Sequence, residues 1–119
     1  MADLVITRTP YPKWWKNLQT AKISLTTAGT QIVVPQQSGY FLFVATIVLT
    51  VSGETDLSFI FGVFGSSGSM DFGGSNEPRG IVIAMGDSPA PCGQGGFSVS
   101  SGGVGIAVGG FVTYYLEKA

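Results

Sequence analysis

YFLFVATIVLTV, residues 40–51, decides the fold. Its twelve residues pass without a charge, a glycine or a proline, and Val, Ile, Thr and Phe suit a pleated surface. A helix across a bilayer needs about 20 apolar residues, so this run reads as one long strand. Strict alternation puts Phe41, Phe43, Ala45, Ile47, Leu49 and Val51 on one face, and Tyr40, Leu42, Val44, Thr46, Val48 and Thr50 on the other. Both faces are apolar, which predicts a central strand covered on both sides. A single small sandwich leaves one face of each sheet wet. The second face therefore calls for a cover, either the N-terminal segment or another subunit.

The two-residue period continues on either side, cut at short intervals by Gly, Pro, Asn and Asp. Upstream, Ile23 and Leu25 alternate with Ser24 and Thr26, and Ala28-Gly29-Thr30 reads as a turn. Gln31-Ile32-Val33-Val34 reads as a strand stopped by Pro35. Leu4-Val5-Ile6-Thr7 is a candidate first strand, and Pro10 and Pro12 exclude regular strand in the segment after it. Downstream, a turn at 52–56 leads to a strand over 57–64, with Leu57, Phe59, Phe61 and Val63 on one face. Residues 65–76, GSSGSMDFGGSN, read as a loop whose length is uncommon in compact domains and often functional. Further strands are expected at 81–85, around Phe97 and Val99, along Val104, Ile106 and Val108, and at 111–116, with 86–93 a loop. Glycines in the run 102–110 would leave one strand face nearly flat, open to close approach by a backbone or a ring. About eight strands and no helix longer than a turn predict an all-β fold, an antiparallel β-sandwich of jelly-roll or Greek-key type. The 119 residues fit one domain, read as an N-terminal docking segment, 1–21, and a sandwich body, 22–119.

Charge is scarce. Six basic and seven acidic residues make 11% of the chain, against about 25% in an ordinary soluble domain. A small globule needs charge to stay dispersed, so the composition implies that other protein chains cover much of the exterior. The net charge of −1 argues against nucleic-acid binding. Arg8, Lys13, Lys16 and Lys22 stand against Asp3 alone in residues 1–22, while Arg79 and Lys118 stand against six acids in the remainder. The N-terminal fifth is thus basic and the body acidic, the pattern of an attachment segment or of a solvated strand and loop. Tyr11, Trp14 and Trp15 are candidate anchors for a partner, because Trp and Tyr dominate interface hot spots. Lys13 and Lys16 would meet acidic partner surface.

Chemistry has little to work with. There is no histidine to act as a base near neutral pH. Cys92 is the only cysteine, without a charged neighbour in sequence, and reads as inert. Glu54 and Asp56 are close enough in sequence for a carboxylate pair of the hydrolase kind, but they flank a turn, where acids commonly bond backbone N–H groups. Asp71, Asn76 and Glu77 offer three oxygens to calcium, in a spacing that matches no EF-hand; the plainer reading is a solvated loop. The glycines of 102–110 lack the Lys-Ser/Thr ending of a phosphate loop. Trp14, Trp15, Tyr11 and Tyr40 are the rings available for sugar stacking. The expectation is a non-enzymatic protein with no catalytic residue, no metal and no cofactor.

The order of features resembles a known group. KISLTTAGTQIVVPQQSGYFLFVATIVLTVSGETDLSFIFG, residues 22–62, then a glycine loop, then GVGIAVGGFVTYYLEK, residues 103–118, is similar to small β-sandwich proteins of bacteriophage virions. The resemblance implies a virion structural role: decorating a capsid, or forming part of a tail or fibre. The partners expected are copies of the chain itself, as a trimer or higher ring, and other virion proteins such as capsid or tail subunits; the charge and the lack of a long apolar run speak for no nucleic acid and no membrane. The alternative is a receptor- or carbohydrate-binding module of a tail fibre, with specificity in the loops 65–77 and 86–96.

Overall fold

The computed structural model describes residues 17–119, and the alternating segments become nine strands. They are β1 (Gln19–Leu25), β2 (Gly29–Val34), β3 (Tyr40–Val51), β4 (Thr55–Phe61), β5 (Met70–Phe72), β6 (Gly80–Ala84), β7 (Ala90–Gly93), β8 (Phe97–Ser101) and β9 (Val108–Lys118). One antiparallel sheet has the order β1-β9-β3-β6, with β7 also paired to β3; the other has the order β2-β8-β4-β5. Strand β6 runs along residues 46–50 of β3 and β7 along residues 42–44, both on the side of β3 away from β9. Nine strands therefore fill eight positions, and the order is that of a jelly roll. The expected fold class holds. The candidate strand 4–7 and the docking residues Tyr11, Lys13, Trp14, Trp15 and Lys16 lie outside the described residues. Strand β1 begins at Gln19, three residues ahead of Lys22.

The core lies between the sheets. Val44, Ile47, Leu57, Val99, Val112 and Phe97 are fully buried there. Phe97 sits between Phe59 and Phe61, with ring centroids 6.1 and 5.4 Å away. Each buried apolar side chain of this size is worth about 1.5–3 kcal/mol, which is what holds two otherwise independent sheets face to face.

The two-face division of β3 needs correction. Its register against β9 slips by one between Val44 and Thr46, leaving Ala45 as a bulge. An extra residue reverses the side to which every later side chain points. The core face is Leu42 and Val44 before the bulge and Ile47, Leu49 and Val51 after it. Phe41, Phe43, Thr46, Val48 and Thr50 face outward. Strand β3 is nonetheless central, with neighbours along both edges.

Four further expectations are corrected. The strand over 57–64 stops at Phe61, because Gly62 takes a left-handed φ of 50° and opens a short 3-10 turn that leaves Val63 and Phe64 exposed. The glycine loop 65–76 contains β5, held by the buried ring of Phe72. The loop 86–93 contains β7, held by buried Cys92. The strand expected along Val104 and Ile106 is a turn, with Val104 84% exposed; of the glycine run only Gly109 and Gly110 lie in a strand.

The two long edges of the sandwich differ. Where β1 and β2 meet, the side chain of Gln31 spans the sheets: Ser24 N–H donates to its Oε1 at 2.7 Å, and its Nε2 donates to Lys22 O at 3.1 Å. These are outward groups of the edge strand β1, so Gln31 caps that edge. The opposite edge, β6, ends its sheet with no further described strand beside it.

Candidate functional site

Two surfaces stand out. The first is the outer face of the five-stranded sheet. Opposite residues in an antiparallel pair share a face, so the register gives the rows directly. Lys22, Phe111, Val48 and Val82 form one row across β1, β9, β3 and β6. Thr20, Thr113, Thr46 and Ala84 form the next, and Ser24, Gly109, Thr50 and Gly80 the one on the other side. In these twelve positions Lys22 is the only charge. Phe111 is 40% exposed and Val82 68%. Beyond the threonine row Phe43 stacks on Tyr115 with centroids 4.9 Å apart and planes 9° from parallel. Burial, and then the nearby Glu117 charge, push the Tyr115 hydroxyl above its ordinary pKa. Thr113 Oγ1 is buried on this face without a hydrogen-bond partner. The face is the second side of β3, nearly free of charge, with five hydroxyl side chains among the twelve positions. On the outer face of the other sheet Thr30, Ser100 and Ser58 form one row, with Thr30 Oγ1 donating to Ser100 Oγ at 3.1 Å, and Ile32, Ser98 and Ile60 form the next, with Ile32 exposed.

The second surface is an open cleft of about 340 Å³ beside the β4–β5 pair. Four carboxylates line it: Glu54, Asp56, Asp71 and Glu77. Read along the chain, Glu54 and Asp56 belong to one turn and Asp71 and Glu77 to a loop; the β4–β5 pairing sets Asp56 directly opposite Asp71. Like charges facing each other across strands are destabilising. Ser69 Oγ eases this by donating to Asp56 Oδ2 at 3.0 Å. Glu77 Oε1 accepts from Gly74 N–H at 2.9 Å, fixing its own turn. Asn76, which takes a left-handed φ of 63°, does not line the cleft. Among the described residues no group of three or more acids, cysteines or histidines is arranged to hold a metal ion.

The cleft floor is a buried hydroxyl pair. Thr55 Oγ1 and Ser101 Oγ are 2.7 Å apart, and Gly103 N–H donates to Thr55 Oγ1 at 2.9 Å. A Cβ at position 103 would stand 2.6 Å from that oxygen, so glycine lets the 102–103 backbone settle against β4.

The candidate ligand-binding loops meet only at the root of 65–77, where Gly93 packs against Val63 and Gly95 against Gly62. Ser69, Asp71 and Glu77 frame the cleft, at the end of β3 marked by Val51. Strand β7 pairs near the start of β3, where Tyr40 lies. Twelve extended residues separate those ends by roughly 36 Å. Tyr40 therefore cannot offer a ring to a sugar held in the cleft. Cys92 has no exposed surface, and burial pushes its thiol up to about 12, so it is protonated and inert as a nucleophile at neutral pH.

The convergence of the four acids is what reasoning along the chain missed. Its one sequence signal is Met70-Asp71-Phe72, an apolar-polar-apolar triplet inside the glycine run. Comparison with protein-family models, with curated proteins and with solved structures finds no match to this chain.

Proposed function

We propose that this chain is a non-enzymatic structural protein of a bacteriophage virion, a capsid decoration or stabilising subunit. It associates with copies of itself and docks through its N-terminal segment, with Tyr11, Trp14 and Trp15 as anchors and Lys13 and Lys16 against acidic surface. The observation that carries this reading is the outer face of the five-stranded sheet, twelve positions with one charge and with Phe111 and Val82 exposed. A sheet face almost without charge, with Phe111, Val48 and Val82 side by side in one row, suits contact with another macromolecule. Jelly rolls recur in viral capsids, although a fold alone does not carry a function.

The test is removal of residues 2–18. The shortened chain retains every described strand, so its β-type circular dichroism should persist while its incorporation into particles is lost. Normal incorporation of the shortened chain would refute the docking role.

A second reading, a receptor- or carbohydrate-binding module, draws on the cleft. Its four carboxylates and open shape suit hydroxyl groups or an amine better than an apolar ligand. Specific retention on a glycan array, lost in Asp56→Asn and Asp71→Asn, would favour this reading; no retention on any glycan would remove it.

A further inference from the structure

We infer that β6 is a self-pairing edge: two copies of the chain join antiparallel along Gly80–Ala84, so that the five-stranded sheet runs on into the same sheet of the second copy. This deepens the self-association proposed above, and rests on it, by naming the strand that makes one two-fold contact.

The backbone argument starts from two hydrogen bonds. Val51 N–H donates to Arg79 O at 2.9 Å, and Met85 N–H donates to Ala45 O at 3.0 Å. Odd-numbered residues here face β3. Antiparallel ladders alternate, so Gly80, Val82 and Ala84 turn both N–H and C=O away from β3, toward the free edge. Natural edges are blunted by charge, proline, a bulge or a covering segment. Strand β6 is GIVIA, without charge or proline, and its pairing with β3 shows no bulge. The β1 edge, by contrast, is capped by Gln31.

The side chains agree. Ile81 and Ile83 point to the core side, yet both remain partly exposed, whereas Ile23 on the capped β1 edge is buried. On this side the facing sheet ends in β5, which has only three residues. Among the described residues no strand closes the core beside β6, and a second β6 would close it with the same two isoleucines.

The register is determined by geometry. A two-fold axis through Val82 opposes Val82 to its own copy and Gly80 to Ala84, using all three outward residues for six hydrogen bonds. An axis through Ile81 or Ile83 leaves one outward residue without a counterpart and makes four. The favoured register also carries the apolar outer row of Phe111, Val48 and Val82 across the junction into its copy. That self-complementarity in backbone and outer face is what a closed, isologous contact requires, and it selects a second copy as occupant.

The experiment uses the full chain. Its mass is measured by light scattering from micromolar to millimolar concentration, beside Val82→Pro and Val82→Cys. Proline deletes an outward N–H in each copy and is tolerated on edge strands. Losing two of six hydrogen bonds and the fit of the edge should weaken association on the order of 100-fold, with unchanged circular dichroism. The Val82→Cys chain keeps every backbone donor. A short bis-maleimide should link it into a covalent dimer, while buried Cys92 stays unlabelled. If the wild type oligomerises but Val82→Cys gives no covalent dimer, or a folded Val82→Pro chain keeps the wild-type mass, the β6 contact is wrong and self-association proceeds elsewhere. If the wild type is monomeric throughout, the contact and the self-association reading both fail. If a monomeric wild type enters particles and Val82→Pro does not, the edge takes a strand of another protein, and self-pairing is again overturned.

Discussion

Thr55→Val tests whether the buried hydroxyl pair holds the cleft floor. The side chains are nearly the same size, so the change removes an oxygen and leaves packing almost untouched. Three groups lose a bond: Ser101 Oγ, 2.7 Å away, Gly103 N–H, 2.9 Å away, and Asp56 O, 3.3 Å away, which still accepts from Gly102 N–H. Leaving a buried donor or acceptor unpaired costs about 1–3 kcal/mol. Gly103 N–H retains a longer contact of 3.4 Å to Ser101 Oγ, which holds the loss to the lower end for that group. The new methyl returns at most about 0.8 kcal/mol of burial. The net expectation is about 1–2 kcal/mol, roughly 4–8 °C in Tm for a domain of this size. Urea unfolding followed by circular dichroism reads it, with Ser101→Ala and the double variant completing a cycle. Because the two oxygens bond each other, the double variant should lose about 1 kcal/mol less than the sum of the singles. A Thr55→Val chain as stable as the wild type, or strictly additive losses, would show that the pair does not support the turn at 102–103.

Two other perturbations test the charges and the thiol. Asp71→Asn removes one of two facing carboxylates and should raise stability by about 0.2–1 kcal/mol at low ionic strength, a gain that shrinks in 0.5 M salt as the repulsion is screened; a loss of stability would mean that Asp71 makes a favourable contact. The folded-state pKa of Cys92 lies at about 12 against an ordinary 9.0, so the folded chain holds a proton that the unfolded chain releases between those values. That contribution is fully present below pH 9 and declines as pH rises toward 12, by up to about 1.4 kcal/mol per unit. The native protein should accordingly resist thiol reagents at pH 8 and react once denatured in urea; fast labelling of the native state would contradict the burial.

How far the fold could be read along the chain depended on how local each signal was. Residues 40–51, the stop at Pro35 and the alternation at Phe97 and Val99 each carry their own periodicity, and each became a strand where expected. Strands β5 and β7 did not announce themselves. Three or four residues set among glycines and prolines hold too few positions for a period to emerge, and they are strands only because β4 and β3 offer them edges. Val104 and Ile106 erred in the other direction: they alternate with glycine, yet no neighbouring strand is in place to pair them.

Composition and two-residue patterning alone determined an all-β chain, a long central strand and a shortage of charge. Tertiary pairing alone decided which side chains of β3 meet the core, because the bulge at Ala45 exists only relative to β9 and reverses every later position. Pairing likewise gathered Glu54, Asp56, Asp71 and Glu77 into one cleft and, among the described strands, left β6 at the end of its sheet. Cross-strand register brings residues from distant parts of the chain into contact, and no local period encodes which residue will stand opposite which.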